Sequence, residues 1–212
     1  MEIEMKVPCG SASISDIVNK LATDKKYSID EFVKKSDSFY TNISDEETKR
    51  RASKVGGMVV RLRANGTLKV CDAIKVLLSN KAFEPTIKGE TYFTTKMKTM
   101  NGNYESNVEN ETTVGDASVM DASLRLMGYH LYFNKVKYSL GAFCKIGSSN
   151  YHIELERVMN EKNGKNVLYI EIENTDDGNS ESQVIDGITK ILEDFGLNAS
   201  NADNRPWVKI LE

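Results

Sequence analysis

Seven segments of this 212-residue chain carry two residues of like charge separated by one uncharged residue. They are Glu2 and Glu4, Arg61 and Arg63, Lys96 and Lys98, Glu109 and Glu111, Lys135 and Lys137, Glu154 and Glu156, and Glu171 and Glu173. Successive side chains of a β-strand point to opposite faces, so residues two apart share one face. The spacing therefore predicts strands that each carry charge of one sign on one face.

Charge clustered in this way has an ordinary explanation and a chemical one. The solvated outer face of an antiparallel sheet accounts for any single pair. For the whole series this explanation weakens, because neighbouring like charges repel one another unless opposite charge lies between them. A closed barrel supplies that arrangement if amphipathic helices cover its outside and the charges line its interior. Carboxylates bind hard divalent cations and basic side chains bind phosphate, so the expected ligand is a metal-bound polyphosphate.

These segments resemble the signature motifs of the CYTH superfamily, the triphosphate tunnel metalloenzymes, in its class IV adenylyl cyclase-like and thiamine triphosphatase-like branch. Glu2-Ile3-Glu4-Met5-Lys6 is similar to the N-terminal Glu-x-Glu-x-Lys motif of the family. The resemblance continues in order through Arg61-Leu62-Arg63, Lys96-Met97-Lys98, Lys135-Val136-Lys137, Glu154-Leu155-Glu156 and Ile170-Glu171-Ile172-Glu173, to the helix near 182–196. It implies an α+β fold: an eight-stranded antiparallel β-barrel, the triphosphate tunnel, with helices packed on the outside.

The resemblance also implies a role for each charged residue. A Mg²⁺ or Mn²⁺ cofactor would be held among the carboxylates of Glu2, Glu4, Glu109, Glu111, Glu154, Glu156, Glu171 and Glu173. The substrate phosphates would be bound by Lys6, Arg61, Arg63, Lys96, Lys98, Lys135 and Lys137. The catalytic set would be Glu2, Glu4, Lys6, Glu171 and Glu173.

Three functional hypotheses follow. The first is a metal-dependent triphosphatase, in which water attacks the terminal phosphorus of ATP or of another organic triphosphate. The second is a class IV-type adenylyl cyclase, in which the ribose 3′-hydroxyl attacks the α-phosphorus and pyrophosphate leaves. The third is a non-catalytic binder of a nucleotide or polyphosphate. Asn107 favours the third, since it stands in a neighbourhood where the family usually has arginine. The spacing of the charges does not discriminate between the first two.

Some segments depart from the family pattern or extend it. The second basic position of the Lys135–Lys137 pair is often arginine, and lysine keeps the charge but loses the bidentate fork. Residues 65–89 form a longer connection than is usual, which predicts an insert, a lid or a peripheral helix. Residues 203–208 loosely resemble the short terminal segment of the class IV branch.

Composition limits the functional classes further. The formal net charge of −3 provides no global basic field, so we expect no extended nucleic-acid track, although a 5′-triphosphorylated RNA end remains a candidate substrate. The sequence contains no apolar run of membrane-spanning length. The three cysteines are widely separated and fit neither a disulfide framework nor a zinc site, which favours the cytoplasm. The two histidines are interpreted as structural, and a homodimer is one candidate assembly.

The secondary-structure pattern is consistent with one CYTH-like domain over residues 1–212. Hydrophobic spacing predicts helices near 13–23, 44–51, 116–128 and 182–195. Strands are predicted at 2–7, 38–41, 58–63, 91–98, 104–114, 129–139, 141–145, 151–159 and 168–173. Residues 24–37 are predicted to be a charged turn region, and Asn65-Gly66 a hairpin turn. The stretch 67–83 fits either a return strand or a helix, with a helix favoured in its second half.

Overall fold

A computed structural model of the chain describes residues 2–10, 12–43, 57–79, 82–102, 104–176 and 178–212. The side chains at positions 2, 57, 58, 98 and 100 are also outside the description. The helix predicted at 44–51 lies outside the described residues. None of the helices in the described ranges combines the length and the apolar character needed to span a membrane.

Antiparallel strands form a closed barrel in the order β1-β5-β4-β3-β2-β6-β7-β8. The strands are β1 (Glu2–Pro8), β2 (Tyr27–Thr41), β3 (Gly57–Thr67), β4 (Ile87–Asn101), β5 (Tyr104–Val114), β6 (His130–Ile146), β7 (Ser149–Met159) and β8 (Asn166–Asn174). The first strand closes the ring, because it pairs with β5 on one side and with β8 on the other. The predicted α+β barrel is confirmed.

Five α-helices in the described ranges accompany the barrel. They are α1 (Ile14–Thr23), α2 (Val70–Ser79), α3 (Ala117–Leu126), α4 (Glu181–Asp194) and the short α5 (Trp207–Ile210). Side chains fix several of their starts: Ser13 caps α1, Asp116 caps α3, and Ser180 forms a capping box with Gln183 at α4.

The main hydrophobic core lies between the barrel wall and the helices outside it. Ile3, Met5 and Val7 of β1 are buried there with the apolar faces of α1 and α4. The alternate residues of β1 therefore face the barrel interior, which places Glu4 and Lys6 inside. The same alternation holds in β7 and β8, where Leu155 and Ile172 belong to the outer core. In β1, β7 and β8 the apolar residue between two charges thus packs in the outer core, and the charges on either side of it point inward.

Helix α4 approaches the barrel very closely. A Cβ atom added at Gly187 would lie 2.0 Å from the hydroxyl of Tyr151 in β7. The absence of a side chain at this position is what lets the helix rest on the buried tyrosine ring.

Two strands are longer than the sequence predicted. The residues 24–37 were expected to form a turn region, yet β2 already begins at Tyr27 and pairs along its length with β6. The expectation was wrong because the charged residues of this segment, among them Asp30-Glu31 and Lys34-Lys35, are adjacent and of both signs, which hides the alternation of a strand. The predicted break between 139 and 141 is also wrong, because β6 continues through Gly141 to Ile146.

The predicted turn at Asn65-Gly66 is wrong as well. Strand β3 runs through these residues to Thr67, with a register shift against β4 between Ala64 and Gly66. The chain then forms α2, which confirms the helix favoured for the second half of 67–83, although the helix already begins at Val70. This helix packs on the outer wall of the barrel, where Arg157 of β7 donates hydrogen bonds to the carbonyls of Val76 and Leu77.

Candidate active site in the barrel tunnel

The barrel interior is lined by ionic side chains at unusually low exposure. Six basic residues that face inward are buried: Lys6, Lys35, Arg61, Lys96, Lys135 and Lys137. Buried cations of this kind are tolerated only when anionic groups or ligands compensate them. Acids on the neighbouring strands provide that compensation.

The first group joins β7 and β8. One carboxylate oxygen from each of Glu154, Glu156 and Glu171 lies within 4.8 Å of the other two. Lys137 contacts two of these residues, with Nζ 2.7 Å from Glu156 Oε2 and 2.5 Å from Glu171 Oε2. Lys35 donates a hydrogen bond to the third, Glu154. We call Glu154, Glu156 and Glu171 the carboxylate group.

The proximity of these carboxylates separates their pKa values. Burial and the negative charge of Glu171 raise the pKa of Glu156 well above its ordinary value, against the lowering effect of Lys137. Burial also raises the pKa of Glu171, but the charges of Lys137, Lys135 and Lys6 outweigh it, and the net pKa is well below the ordinary value. Glu156 is therefore the member of the group that holds a proton most readily.

The second ionic group lies on β3, β4 and β5. Arg61 contacts Glu109 at 3.2 Å and Glu111 at 3.4 Å, and it donates to the hydroxyl of Thr94 at 3.1 Å. Lys96 bridges this group to the first strand, since its Nζ lies 3.4 Å from Glu109 and 3.1 Å from Glu4.

Strand β2 contributes an aspartate and a lysine that the sequence analysis missed. Asp37 accepts hydrogen bonds from Arg63 at 2.6 and 3.0 Å, and its carboxylate lies 2.9 Å from Lys135. Lys35 connects Glu154 to Glu31, which lies 3.0 Å from its ammonium. The signal was present as a charged pair two residues apart, but Lys35 and Asp37 have opposite signs and so did not fit the pattern of like charges.

Apolar residues and α5 fill one end of the tunnel. Phe39, Phe133 and Val158 each lie two residues from an inward-facing charge of the same strand and cluster with Trp207, Val208 and Leu211 near the C-terminus. The ring centroid of Trp207 lies 5.2 Å from Lys6 Nζ, 5.1 Å from Lys135 Nζ and 5.2 Å from Lys137 Nζ. Lys6 also donates a hydrogen bond to the carbonyl of Arg205 at 2.9 Å. These lysines mark what we call the deep end.

Exposure increases toward the opposite end, which we call the mouth. The side chains of Glu31, Glu111 and Glu173 are 31%, 38% and 36% exposed there, whereas that of Glu156 is fully buried. A ligand from solvent therefore reaches the charged interior through the mouth.

Asn107 lies on the inner wall and is only 3% exposed. In the part of the chain that the structure describes, neither its amide nitrogen nor its amide oxygen has a hydrogen-bond partner. A buried polar group without a partner is costly, and a bound ligand is one way to satisfy it.

The sequence-predicted site residues thus take several positions. The carboxylate group brings together three of the eight predicted metal ligands, with Lys137 beside them. Glu109 and Glu111 lie with Arg61 on another part of the wall, Glu4 lies with Lys96, and Glu173 contacts His152. Asn107 pairs in strand register with Glu2 of β1 and with Lys98 of β4. The side chains of Glu2 and Lys98 are outside the described residues.

Comparison with known proteins identifies the fold. No protein-family model matches the chain, and no curated protein matches it in sequence. Solved structures do match: the PH1819 protein from Pyrococcus horikoshii OT3 has a TM-score of 0.67 at 16% identity, over 99% of this chain and 97% of that one. The PH1012 protein from the same organism has a TM-score of 0.63 at 17% identity, over 100% of both chains.

A third similar structure has a name that points to an activity. It is a proposed adenylate cyclase from Vibrio parahaemolyticus, with a TM-score of 0.60 at 15% identity, over 99% of this chain and 96% of that one. At such identities the likeness establishes a shared fold, and the eight-stranded barrel is consistent with the CYTH resemblance of the motifs.

Proposed function

We propose that this chain is a divalent-metal-dependent phosphohydrolase that acts on a triphosphate bound in the tunnel. The observation that carries this proposal is the contact of buried lysines with a compact carboxylate group. Lys137 contacts both Glu156 and Glu171, and Lys35 contacts Glu154. A site that combines acids and bases in this way suits a ligand that is itself an anion bound to a cation.

The carboxylate group fits a Mg²⁺ or Mn²⁺ ion. Both ions prefer oxygen ligands, and Glu154, Glu156 and Glu171 offer three carboxylate oxygens within 4.8 Å of one another. A cation held there would neutralise charge on the phosphate oxygens. Glu4 and Glu173 pair in strand register across β1 and β8, and they are candidates to complete the coordination.

The filled deep end favours attack at the terminal phosphorus. A triphosphate that enters by the mouth has to lead with its terminal phosphate, since Trp207 and its neighbours occupy the other end. The terminal phosphate would then meet Lys6, Lys135 and Lys137, which offset charge that develops on its oxygens during transfer. The organic part would remain toward the mouth.

A class IV-type adenylyl cyclase is the second candidate function. The fold shared with the proposed adenylate cyclase from Vibrio parahaemolyticus favours it, as does the resemblance of the charged motifs. In that reaction the charged side chains of the tunnel would hold ATP while the ribose hydroxyl attacks the α-phosphorus. Binding without turnover is the third candidate. Asn107, which stands in a neighbourhood where the family usually has arginine, favours it, and its amide has no hydrogen-bond partner among the described residues.

Product analysis tests the proposal. The protein is incubated with ATP, and separately with inorganic tripolyphosphate, in the presence of Mg²⁺ or Mn²⁺. Release of orthophosphate from both substrates supports the phosphohydrolase. Cyclic AMP with pyrophosphate would overturn it in favour of the cyclase, and tight binding without product would overturn both.

Matched variants link any turnover to the tunnel. Glu171→Gln removes the charge of one member of the carboxylate group and should reduce turnover about 100-fold or more, in the range seen when a charge-stabilising group is removed from an active site. Glu161→Gln changes an exposed residue in the β7–β8 connection and should leave turnover unchanged. Equal activities of the two variants would contradict the assignment.

A further inference from the structure

A second cluster of metal-ligating side chains lies at the mouth, and it includes a histidine. One ligating atom from each of Glu31, His152 and Glu154 lies within 4.8 Å of the others. Asp30 and Glu173 border this cluster, 3.6 Å and 3.4 Å from the two ring nitrogens of His152. The sequence alone predicts a structural role for His152, and this arrangement differs from that prediction.

The two nitrogens of His152 have different surroundings. Nδ1 lies 3.4 Å from Glu173 Oε1, a contact that fits a proton on Nδ1 shared with the carboxylate. Nε2 is buried and lacks a hydrogen-bond partner among the described residues. A carboxylate that holds one nitrogen of a histidine while the other points into a cluster of acids is the usual environment of a metal-binding imidazole.

Gly141 provides the space into which these groups converge. A Cβ atom at this position would lie 2.6 Å from Glu31 Cγ, 2.8 Å from Asp30 Oδ1 and 3.1 Å from His152 Nε2. Any side chain would therefore displace all three. Gly141 pairs in register with Glu31 on β2 and with Glu154 on β7, which brings both glutamates to the same level of the wall.

The charge around Nε2 is predominantly negative. Lys35 compensates part of it, because its ammonium contacts Glu31 and Glu154. The carboxylates of Asp30 and Glu173 add further negative charge on the side of the imidazole. The cluster thus gathers four carboxylates around one lysine, which suits an additional cation.

We propose that Glu31, Glu154 and His152 Nε2 form a binding site for a divalent first-row transition metal such as Mn²⁺ or Zn²⁺. The nitrogen ligand distinguishes this mouth site from the carboxylate group, because imidazole is a typical ligand of Zn²⁺, whereas Mg²⁺ is bound by oxygen; Mn²⁺ serves as the paramagnetic probe of the site. Glu154 belongs to both, so the two sites adjoin. The mouth site goes beyond the proposed function, since it requires neither a triphosphate nor turnover.

Pulsed electron spin resonance on Mn²⁺ tests the site with the metal alone. The full chain is first incubated with excess Mg²⁺ to occupy all-oxygen sites, and Mn²⁺ is then added. Echo modulation from a bound ¹⁴N nucleus reports histidine ligation directly. The chain has two histidines, so His152→Gln and its matched control His130→Gln assign the nitrogen. His130 lies at the start of β6, toward the deep end.

The proposal expects ¹⁴N modulation in the unmodified protein and in His130→Gln, and its loss in His152→Gln. Gly141→Ala keeps every ligand but fills the space between them, and it should weaken Mn²⁺ binding at this site about 10-fold or more. Addition of Zn²⁺ should remove the modulation by competition. Persistence in His152→Gln, or its absence from the unmodified protein at saturating Mn²⁺, would overturn the proposal.

This readout is independent of the proposed hydrolase. If neither ATP nor tripolyphosphate is turned over, the ¹⁴N modulation still decides the mouth site. If turnover is observed and Mn²⁺ shows no nitrogen ligand, the mouth site fails while the hydrolase stands.

Discussion

Asp37 and Lys135 form an ion pair that is almost completely enclosed by the barrel. The carboxylate and the ammonium lie 2.9 Å apart, and the two side chains are 0% and 2% exposed. Arg63 contacts the same carboxylate at 2.6 Å. One buried acid thus compensates two cations, and its removal would leave both without that partner.

Replacing this acid should destabilise the protein strongly. We expect Asp37→Asn to lower the free energy of unfolding by about 3–5 kcal/mol, the usual cost of breaking a buried ion pair from one side. Urea denaturation measures the change. Asp186→Asn, at an exposed position of α4, serves as the control and should change stability by less than about 0.5 kcal/mol. Similar values for both variants would mean that solvent or another acid compensates the cations.

The pKa of Lys135 leads to a prediction about proton uptake. Burial, followed by the positive charge of Lys137, lowers this pKa from 10.5 to about 7, although Asp37 acts to raise it. Above this pKa the amine is increasingly neutral, and bound phosphate should restore its charge. Binding of tripolyphosphate at pH 8 should therefore take up protons, measured by calorimetry in buffers of different ionisation enthalpy. Lys135→Met should abolish this uptake.

The same shift has a consequence for stability, with the opposite sign from that of a lysine whose partners raise its pKa. Between about 7 and 10.5 the unfolded chain binds more protons at this position than the folded chain. Its contribution to the free energy of unfolding should therefore increase with pH across this range. A flatter pH dependence in Lys135→Met than in the unmodified protein would confirm the source, and identical profiles would contradict it.

Asn107 should affect stability and binding in opposite directions. Its buried amide lacks a partner among the described residues, so Asn107→Leu should maintain or increase the free energy of unfolding. If a phosphate oxygen satisfies the amide in the complex, the variant should bind tripolyphosphate about 10-fold more weakly, equivalent to one charge-assisted hydrogen bond. Thermal unfolding and calorimetry with the two proteins test the two halves separately. Unchanged affinity would exclude Asn107 from the phosphate site.

The close contact of α4 with the barrel predicts an overpacked variant. Gly187→Ala would place a methyl group against the Tyr151 hydroxyl, and we expect a loss of about 1–3 kcal/mol. Gly115→Ala is a suitable control, because no atom lies within 4 Å of the added Cβ. Denaturation of the two variants measures the difference. Equal stabilities would show that the helix moves away from the barrel at little cost.

The sequence predicted the features that depend on local alternation. Ile3 and Leu155 face the outer core because each stands between two acids that must point the other way. Strand position and the inward direction of the charges follow from this periodicity alone. Like-charge pairs therefore sufficed to predict a charged interior.

Features that depend on contacts between distant strands escaped prediction. Lys35 and Asp37 stabilise acids and bases on other strands. Because these two residues carry opposite charges, the sequence pattern predicted a turn where β2 forms. The environment of His152 is created by Gly141 and Glu173 from neighbouring strands. Likewise, nothing in the sequence around Trp207 indicates that its ring meets Lys6 and Lys135 across the tunnel.

The position of β1 between β5 and β8 governs the order in which the protein can be assembled. Glu4 pairs with Glu173, so β1 has to wait for β8 to be synthesised before this pairing can form. Until β8 emerges, β1 and β7 both present unpaired edges, and such edges are prone to associate with other chains. Pairing at so large a sequence separation also slows folding, because the chain loses the entropy of loop closure before the stabilising contacts form. The contact that completes the tunnel thus also removes the last open edges of the sheet.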